Sequence, residues 1–409
     1  MQKYILQYNS SPIRVELITF TPLFMKKEEF DYIICGGGAA GLLLLKAMKA
    51  DEFFIAKKIL LIEKELKNSD DRTWSFWETG DGNFNDLLAK KWNHATFLAP
   101  QKRQDFELTP YQYKMMRSKA FYNKYFPLES VPHNIRILQA EVKELNSKAD
   151  HTVVVTDQGV FSAPQVFSSL FDPKKITTQN KYPVLKQHFI GWFVNAPKGS
   201  FDPDKILFMD FNIPQKQQTR FLYLLPQNDR QALVEYTLFS KDLLTTREYE
   251  EGIEAYLKSM NITSYQIEGK EQGNIPMSCY PFNRSNTPSL LHIGTAGGWT
   301  KASTGFTFIN TVRQINRLIP FLKTGQDLTT FHKKSRFWYY DLLFLDVLAA
   351  HNSRGSTLFS RMFQKNKPET IFSFLDDKSS WIQEFNIMRS FPTLLFVKQL
   401  WKRLLRSMH

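Results

Sequence analysis

A glycine-rich turn near the start of the chain has the residue types and the spacing that bind a dinucleotide. Residues 31–35 predict a buried strand, and Gly36, Gly38 and Gly41 then fit the pattern G-x-G-x-x-G ahead of an apolar helix. Gly36 permits a tight turn, Gly38 lets the backbone approach a pyrophosphate, and Gly41 lets the helix and strand pack closely. The N–H groups that open the helix would face the phosphates.

The acid that completes this pattern is Glu63, which ends a second apolar strand predicted over residues 58–63. It follows Gly41 at about the 20-residue spacing at which a carboxylate accepts both ribose hydroxyls and repels a 2′-phosphate. Because strand, glycine turn, helix, strand and acid occur in order, they predict a dinucleotide site. A glycine turn without a ligand is the alternative.

A later apolar strand that runs into glycines favours FAD over NAD as the dinucleotide. In FAD folds built from two sequence segments, such a strand returns to the ribityl chain and the pyrophosphate. We therefore expect Gly294, Gly297 and Gly298 to contact the cofactor. Thr295 stands where flavin hydroxylases usually carry aspartate, which argues against a hydroxylase.

A lone acid in an apolar hairpin is the second candidate for chemistry. Residues 221–225 and 232–238 predict its two strands, and side-chain alternation puts Glu235 and Thr237 on one face. Burial would raise the pKa of Glu235 and favour the neutral acid, which can donate a proton and take it back. A surface glutamate on an edge strand is the alternative.

Composition narrows the classes to which the protein can belong. Of 409 residues, 43% are hydrophobic and 14% aromatic, which indicates a globular protein with an aromatic core or a large apolar pocket. Two cysteines, Cys35 and Cys279, cannot make a disulfide framework and fit a reducing cytoplasm. The net charge of +13 favours an anionic membrane surface over nucleic acid, because the sequence has no basic nucleic-acid motif. It has no metal-ligand cluster or serine-nucleophile motif either.

Five further segments carry a resemblance to a known family. They are TWSF at 73–76, FMDF at 208–211, LVEYT at 233–237, IPM at 275–277 and the glycine segment at 293–306. From about residue 29 to about residue 390, and in this order, the chain resembles the bacterial lycopene β-cyclases. These are flavoproteins that close the ionone rings of β-carotene. The TWSF and IPM segments are specific to that family and its plant relatives.

The resemblance implies an isomerisation that needs FAD but has no net redox change. Such enzymes consume NAD(P)H to keep FAD reduced, and they act on lycopene and then γ-carotene. A proton adds to the terminal double bond of a ψ-end, an internal double bond attacks the resulting cation, and a ring proton leaves. In the family the acid of the L-x-E-x-T segment is essential, and that role falls here to Glu235.

The resemblance also adds candidates around Glu235. The Met-Asp pair at 209–210 gives Asp210 a supporting role at the site, with a cap of the strand 206–209 as the alternative. Glu271, ahead of the IPM segment, is a candidate second acid. Arg72 either contacts the flavin and its phosphates or is a solvated loop arginine. Near residue 168 the chain lacks the acid, arginine and glycine pattern of many relatives, so we assign no flavin contacts to that strand.

Aromatic rings supply the shielding and the negative surface that a carbocation needs. The aromatic residues that flank the two flavin-proximal segments are therefore candidates for the substrate pocket, with ordinary core packing as the alternative for each. They are Trp74, Phe76, Trp77, Trp299 and Phe306.

These observations predict an α/β protein. We expect a two-part FAD-binding Rossmann-like domain, an antiparallel β-sheet substrate cap and a helical C-terminal region. Residues 1–24 are predicted to be a dispensable extension, because Met25 begins a short polar lead into the first strand. The predicted segments are 25–105, 126–180 and 271–325 for the FAD domain, 106–125 and 181–270 for the cap, and 326–409 for the helical region.

A C40 hydrocarbon substrate would reside in membrane, yet no apolar run approaches the roughly 18 residues that a span needs. Residues 390–406 predict a basic amphipathic helix, which either lies on an anionic membrane or packs on the body with a solvated basic face. We expect a cytoplasmic protein, peripheral on the inner face of the cytoplasmic membrane. The apolar positions of the helix are Leu394, Val397, Trp401, Leu404, Leu405 and Met408.

Two rival functions fit the same fold. One is an FAD-dependent monooxygenase or geranylgeranyl-type reductase, against which the missing Gly-Asp and the TWSF segment argue. The other is a non-catalytic carotenoid-binding flavoprotein, against which Glu235 in an apolar strand argues. The sequence predicts no oligomeric state.

Overall fold

The computed structural model describes residues 27–100, 102–126 and 131–408, and within them it has nineteen strands and ten α-helices. The strands are β1 Glu28–Glu29, β2 Tyr32–Cys35, β3 Ile59–Glu63, β4 Thr73–Thr79, β5 Leu88–Trp92, β6 His94–Ala99, β7 Lys102–Glu107, β8 Tyr111–Arg117, β9 Ile135–Gln139, β10 Val142–Ser147, β11 Thr152–Thr156, β12 Val160–Ala163, β13 Gln165–Ser168, β14 Leu185–Asn195, β15 Lys205–Asp210, β16 Thr219–Pro226, β17 Gln231–Ser240, β18 Gln266–Met277 and β19 Leu290–His292. The helices are α1 Ala39–Lys49, α2 Ser118–Tyr125, α3 Lys174–Thr177, α4 Thr246–Ser259, α5 Phe308–Leu322, α6 Arg336–Ala350, α7 Gly355–Lys365, α8 Pro368–Leu375, α9 Trp381–Ser390 and α10 Thr393–Met408.

Five parallel strands form a nucleotide-type sheet in the order β19-β13-β2-β3-β9. β2, with the sequence YIIC, and β3, with the sequence ILLIE, are buried at every position, as strands covered on both faces are. Helices α1 and α5 pack on one face, and strands β10 to β12 pack on the other. The sheet thus brings the ends of β2, β3, β13 and β19 to one edge.

A second large sheet has seven strands in the order β18-β14-β17-β16-β15-β6-β7. Neighbouring strands are antiparallel except β15 and β6, which are parallel. The predicted hairpin is confirmed as β16 and β17. Because side chains alternate along β17, Val234, Tyr236 and Leu238 pack with α4, whereas Glu235 and Thr237 lie on the opposite face.

The remaining elements join these two sheets. A three-stranded sheet in the order β4-β8-β5 contains the TWSF segment. Helices from the C-terminal region pack on the seven-stranded sheet, where Phe363 stacks on Phe97 with ring centroids 4.2 Å apart and Phe372 meets Phe208 at 5.4 Å. The predicted fold class is confirmed: α/β, with a largely antiparallel second sheet and a helical C-terminal region.

The predicted segment boundaries cross some of these elements. β6 pairs with β15 and with β7 in the seven-stranded sheet, although most residues of β6 and β7 fall in the segment 25–105. β18 likewise continues past residue 271 within one sheet. The division into domains stays a prediction, and the expected extension 1–24 lies outside the described residues. In the described part of the chain, no helix is both long and apolar enough to cross a membrane.

Candidate functional site

The glycine turn has the geometry that a dinucleotide phosphate requires. Gly36 has φ +101°, and a Cβ on Gly41 would stand 1.9 Å from the Gly36 carbonyl oxygen. A Cβ on Gly38, by contrast, would meet nothing within 4 Å of the described atoms. Helix α1 begins at the next residue, and no described side chain caps its N-terminus. The first N–H groups of the helix therefore face open space, which fits a pyrophosphate.

Glu63 lies beside this turn at the end of β3. Its Oε2 accepts the N–H of Gly37, and Lys67 Nζ is 3.2 Å from its Oε1. The parallel register that sets Cys35 against Ile62 brings the acid to the turn. This is the place at which a ribose would follow a pyrophosphate, so the residues fit an FAD adenosine end.

The later glycines divide between two places. Gly294, with φ +59°, follows β19 and lies against α1, since a Cβ on it would be 2.8 Å from the Cβ of Ala40. Gly297 and Gly298 complete the turn, but they border a different, cation-rich cavity behind it. The structure therefore brings Gly294 to the glycine turn and leaves the other two outside the main cavity.

One cavity of about 570 Å³ connects the glycine turn with the seven-stranded sheet. Gly38 and Gly294 border it at one end, and Glu235 and Glu271 border it at the other. Arg72 also borders the cavity and pairs with Asp71 through Nη2 and Oδ2, 2.9 Å apart. The segments that sequence patterns singled out separately thus meet around one space.

Glu235 is half-buried, and its side chain borders this cavity. Thr237 Oγ1 donates a hydrogen bond of 2.7 Å to its Oε1. Burial, and then the negative charge of Glu271, raise the pKa of Glu235 to about 8, against the opposing effect of the Thr237 hydroxyl. At neutral pH the side chain is therefore a neutral acid that faces the cavity.

Glu271 is the partner of Glu235 across a glycine. Gly191 on β14 pairs with Glu235 on one side and with Glu271 on the other. A Cβ on Gly191 would stand 3.6 Å from Cγ of Glu235 and 3.3 Å from Cγ of Glu271. Because Gly191 has no side chain, Leu233 and the two acids can pack closely over its backbone.

The hydroxyl of Thr73 and the charge of Arg117 both act on the pKa of Glu271. Thr73 Oγ1 donates a hydrogen bond of 2.6 Å to its Oε2. Burial raises the pKa of Glu271, while the Thr73 bond and the charge of Arg117 act in the opposite direction. The threonine of the TWSF segment is thus a hydrogen-bond donor to Glu271. The sequence analysis did not predict this role for Thr73. Side-chain alternation along β4 could have suggested this role, because it puts the hydroxyls of Thr73 and Ser75 on the same face.

The predicted aromatic residues separate into two groups. Trp74 and Phe306 border the cavity. Phe76, Trp77 and Trp299 do not: Phe76 stacks on Phe308 at 5.3 Å, Trp77 meets Phe306 from behind at 4.1 Å, and Trp299 packs beside Phe331. For these three, the core-packing alternative matches the structure.

Other aromatic residues that the sequence did not single out border the cavity. Tyr223 on β16 pairs directly with Glu235, and Tyr113 comes from β8. Burial is the main cause that raises the pKa of both phenols well above its usual value, and the charge of Glu235 adds to it. Both phenols therefore stay protonated. The remaining cavity aromatics are Phe171, Phe189 and Phe308.

Asp210 lies away from this cavity. It ends β15 and accepts hydrogen bonds from the Asn212 N–H, at 2.8 Å, and from the Tyr256 hydroxyl on α4, at 3.0 Å. Helix α4 covers the face of the sheet opposite Glu235. The hydrogen bonds match the strand-end cap that was the alternative for Asp210, and the structure does not bring Asp210 and Glu235 together.

Solved structures with similar folds include a reductase-like protein, a flavoprotein/dehydrogenase and a monooxygenase. A geranylgeranyl bacteriochlorophyll reductase-like protein from Thermoplasma acidophilum superposes with a TM-score of 0.59 at 12% identity, over 92% of this chain and 100% of the other. A flavoprotein/dehydrogenase from Cytophaga hutchinsonii gives 0.58 at 10% identity, over 92% and 100%. A p-nitrophenol 4-monooxygenase from Pseudomonas putida gives 0.54 at 13% identity, over 91% and 98%. These likenesses show the fold alone.

Sequence comparison is more specific. A search of curated proteins returned no match. A family model described as lycopene cyclase protein matches residues 31–399, which is nearly the whole chain and spans both the glycine turn and the paired acids. The chain therefore belongs to the lycopene cyclase family.

Proposed function

We propose that this protein is a lycopene β-cyclase, which converts the ψ-ends of lycopene to β-ionone rings through γ-carotene to β-carotene. The observation that carries the proposal is Glu235, an acid with a pKa of about 8 on a cavity that reaches the glycine turn. An acid that is neutral at physiological pH is what protonation of an unactivated double bond requires. The reaction is an intramolecular lyase or isomerase reaction with no net redox change.

The proton first moves from Glu235 to the terminal double bond of the ψ-end. The internal double bond then attacks the tertiary cation and closes the ring. The Glu235 carboxylate that remains, held by the Thr237 hydroxyl, takes the proton that leaves the ring. One proton enters and one leaves, so Glu235 is neutral again and the charges balance.

Glu271 assists from across Gly191. Its negative charge raises the pKa of Glu235 and so keeps the proton on the acid that faces the substrate. Thr73 donates to Glu271 and fixes its direction. We assign Glu271 as a positioning residue that acts through Glu235.

We expect the aromatic side chains on the cavity wall to shield the cation from water. Trp74 and Phe306, the predicted aromatic residues on the cavity, are joined there by Tyr113, Phe189 and Tyr223. Ring faces attract a cation and offer no nucleophile, so they favour ring closure over capture by water.

FAD fits the opposite end of the same cavity. We expect Gly36, Gly38 and Gly41 to hold its pyrophosphate at the start of α1, Glu63 its ribose, and Gly294 its ribityl side. When bound in its reduced form, kept so by NAD(P)H, the flavin supplies negative charge near the cation. Arg72, exposed at the cavity and paired with Asp71, is placed to meet a phosphate.

We further propose that the protein is cytoplasmic and lies peripherally on the inner face of the cytoplasmic membrane. The outward surface of α9 and α10 carries large exposed apolar residues, of which Trp381, Ile382, Leu394 and Trp401 are examples. Lys398 and Lys402 are exposed on α10, whereas Arg403 pairs with Asp346 of α6. Apolar side chains with nearby lysines suit an anionic bilayer surface. Flotation with anionic vesicles, with and without residues 391–409, tests this; equal flotation would refute it.

A lycopene-producing bacterial strain tests the function itself. The wild-type chain should convert lycopene to β-carotene, and Glu235→Gln should not. Glu268→Gln is the matched control, because Glu268 lies on the same sheet but is exposed and bonded to Asn195 and Gln231. Oxygenated or reduced products from the wild type would favour a monooxygenase or a geranylgeranyl-type reductase. Bound but unchanged lycopene would favour a carotenoid carrier.

A further inference from the structure

A second cavity lies in the C-terminal helices, outside the site described above. Its volume is about 210 Å³, and its walls come from α6, α7, α8, α9 and α10. Thr304 lies at its inner end and also borders the cavity that contains Glu235. Thr304 therefore belongs to the walls of both cavities.

The wall of this second cavity is apolar almost throughout. Two of its polar side chains are engaged by neighbours: Ser303 Oγ donates to Asp341 Oδ1 at 2.8 Å, and the Tyr340 hydroxyl donates to Glu384 Oε2 at 2.9 Å. Such a wall offers a polar ligand little and a hydrocarbon a great deal. Apolar side chains that face the space include Phe344, Met362, Ile387, Phe396, Val397 and Leu400.

The outer end of the cavity opens between α9 and α10. Met388, Val397 and Leu400 border the cavity, and each keeps more than 40% of its surface exposed, at 42%, 42% and 44%. The exposed apolar surface continues around this opening through Trp381 at 68% and Leu394 at 87%. A monomeric protein seldom leaves so many large apolar side chains together in water.

We propose that this second cavity is a binding channel for the linear polyene chain of the substrate, which enters from the bilayer between α9 and α10. The inference rests on the proposed function. The 570 Å³ cavity must receive both the reacting end and the flavin, so the rest of a long hydrocarbon needs another apolar space. The channel supplies that space and leads past Thr304 toward Glu235.

Thr304 is suited to the junction. Its side chain is small and nearly buried, and its Oγ1 has no hydrogen-bond partner among the described residues. A bulky side chain in its place would close the passage between the two cavities without changing either acid.

The test measures binding without turnover. trans-Parinaric acid, a linear conjugated tetraene, becomes fluorescent when it enters an apolar site. In the full-length holoprotein, Val397→Trp combined with Leu400→Trp fills the opening and should weaken probe binding at least tenfold. Leu394→Trp combined with Leu405→Trp is the control on the same helix, since neither residue borders the cavity. Flavin absorbance and vesicle flotation should be equal in the two double variants.

Equal probe binding in the two double variants, or no binding by the wild type, would overturn the channel. Thr304→Phe supplies the link to the site: it should retain the probe but lose lycopene conversion. Conversion that survives Thr304→Phe would overturn the passage toward Glu235. Because the probe needs no cyclisation, a wild type that binds it but leaves lycopene unchanged would refute the cyclase function and not the channel.

Discussion

The two faces of the seven-stranded sheet each hold an acid, buried at Asp210 and half-buried at Glu235, and the two acids differ in what they face. Asp210 lies toward α4, where a backbone N–H and the Tyr256 hydroxyl donate to it. Glu235 lies toward the cavity, where the Thr237 hydroxyl donates to it. Burial raises the pKa of both.

The difference teaches that a raised pKa does not by itself make a proton donor. Asp210 accepts hydrogen bonds from its neighbours at both oxygens and does not border the cavity that contains Glu235. Glu235 has a cavity before it, a second acid beside it and aromatic walls around it. Access, added to a raised pKa, is what distinguishes a catalytic acid from a structural one.

The largest effect should come from Glu235→Gln. Glutamine keeps the shape of the side chain but cannot donate a proton, so turnover of lycopene should fall on the order of 10³-fold. Steady-state conversion by the purified, FAD-loaded protein in lipid vesicles measures it. Flavin content should be unchanged. Turnover within tenfold of the wild type would contradict the role of Glu235 as the proton donor.

The next effect is on the pH profile. Because Glu235 acts in its protonated form, wild-type turnover should fall as pH rises through about 8. Glu271→Gln removes the negative charge that helps to raise that pKa, so the fall should begin at lower pH and turnover at pH 7.5 should drop about tenfold. Glu268→Gln, on the same strand, should leave the profile in place. An unshifted pH profile in Glu271→Gln would contradict the claim that the charge of Glu271 raises the pKa of Glu235.

A smaller effect is expected from Gly191→Ala. The new Cβ would be 2.9 Å from Leu233 Cδ1 and would crowd the Cγ atoms of both acids, so turnover should fall several-fold. Gly269→Ala is the control in the same sheet, because its Cβ would make an ordinary contact at 3.6 Å with Phe193. Similar turnover in the two variants would show that the close packing of the acids over Gly191 does not affect turnover.

The smallest effect on turnover should come from Asp210→Asn. The amide can still accept the Asn212 N–H, and the exchange of one hydrogen-bond acceptor at Tyr256 costs about 1 kcal/mol of unfolding free energy. Turnover should stay within about twofold. Urea unfolding and conversion assays on one preparation measure both quantities, and a large loss of turnover with native stability would show that Asp210 takes part in the reaction.

What the sequence predicted well was local. The glycine turn, Glu63 and the hairpin at Glu235 are short patterns whose spacing sets their geometry. The pairing of Glu235 with Glu271 was not accessible, because β14 and its Gly191 lie between them in the sheet but far away in sequence.

Residue type alone misled at the aromatic positions. Along β4, Thr73 points to Glu271, whereas Phe76 packs beside Phe308 in the core of the nucleotide part. Trp77 and Trp299 are core residues as well, while Tyr223 and Phe189 border the cavity because of strand pairings that are distant in sequence. The sequence predicted that aromatic rings would border the cavity, but the strand pairings determine which rings do so.

Cyclisation in deuterium oxide tests the central claim most directly. The proton that Glu235 takes from one ring exchanges with the solvent before the next turnover. The purified protein, with reduced FAD and lycopene in vesicles, should therefore give β-carotene that carries one solvent deuterium for each ring formed, with no oxygen added and no net hydrogen gained. Glu235→Gln should give none of this product, and Asp210→Asn should give it at nearly the wild-type rate. Rings without deuterium, or labelled rings formed by Glu235→Gln, would contradict proton donation from Glu235.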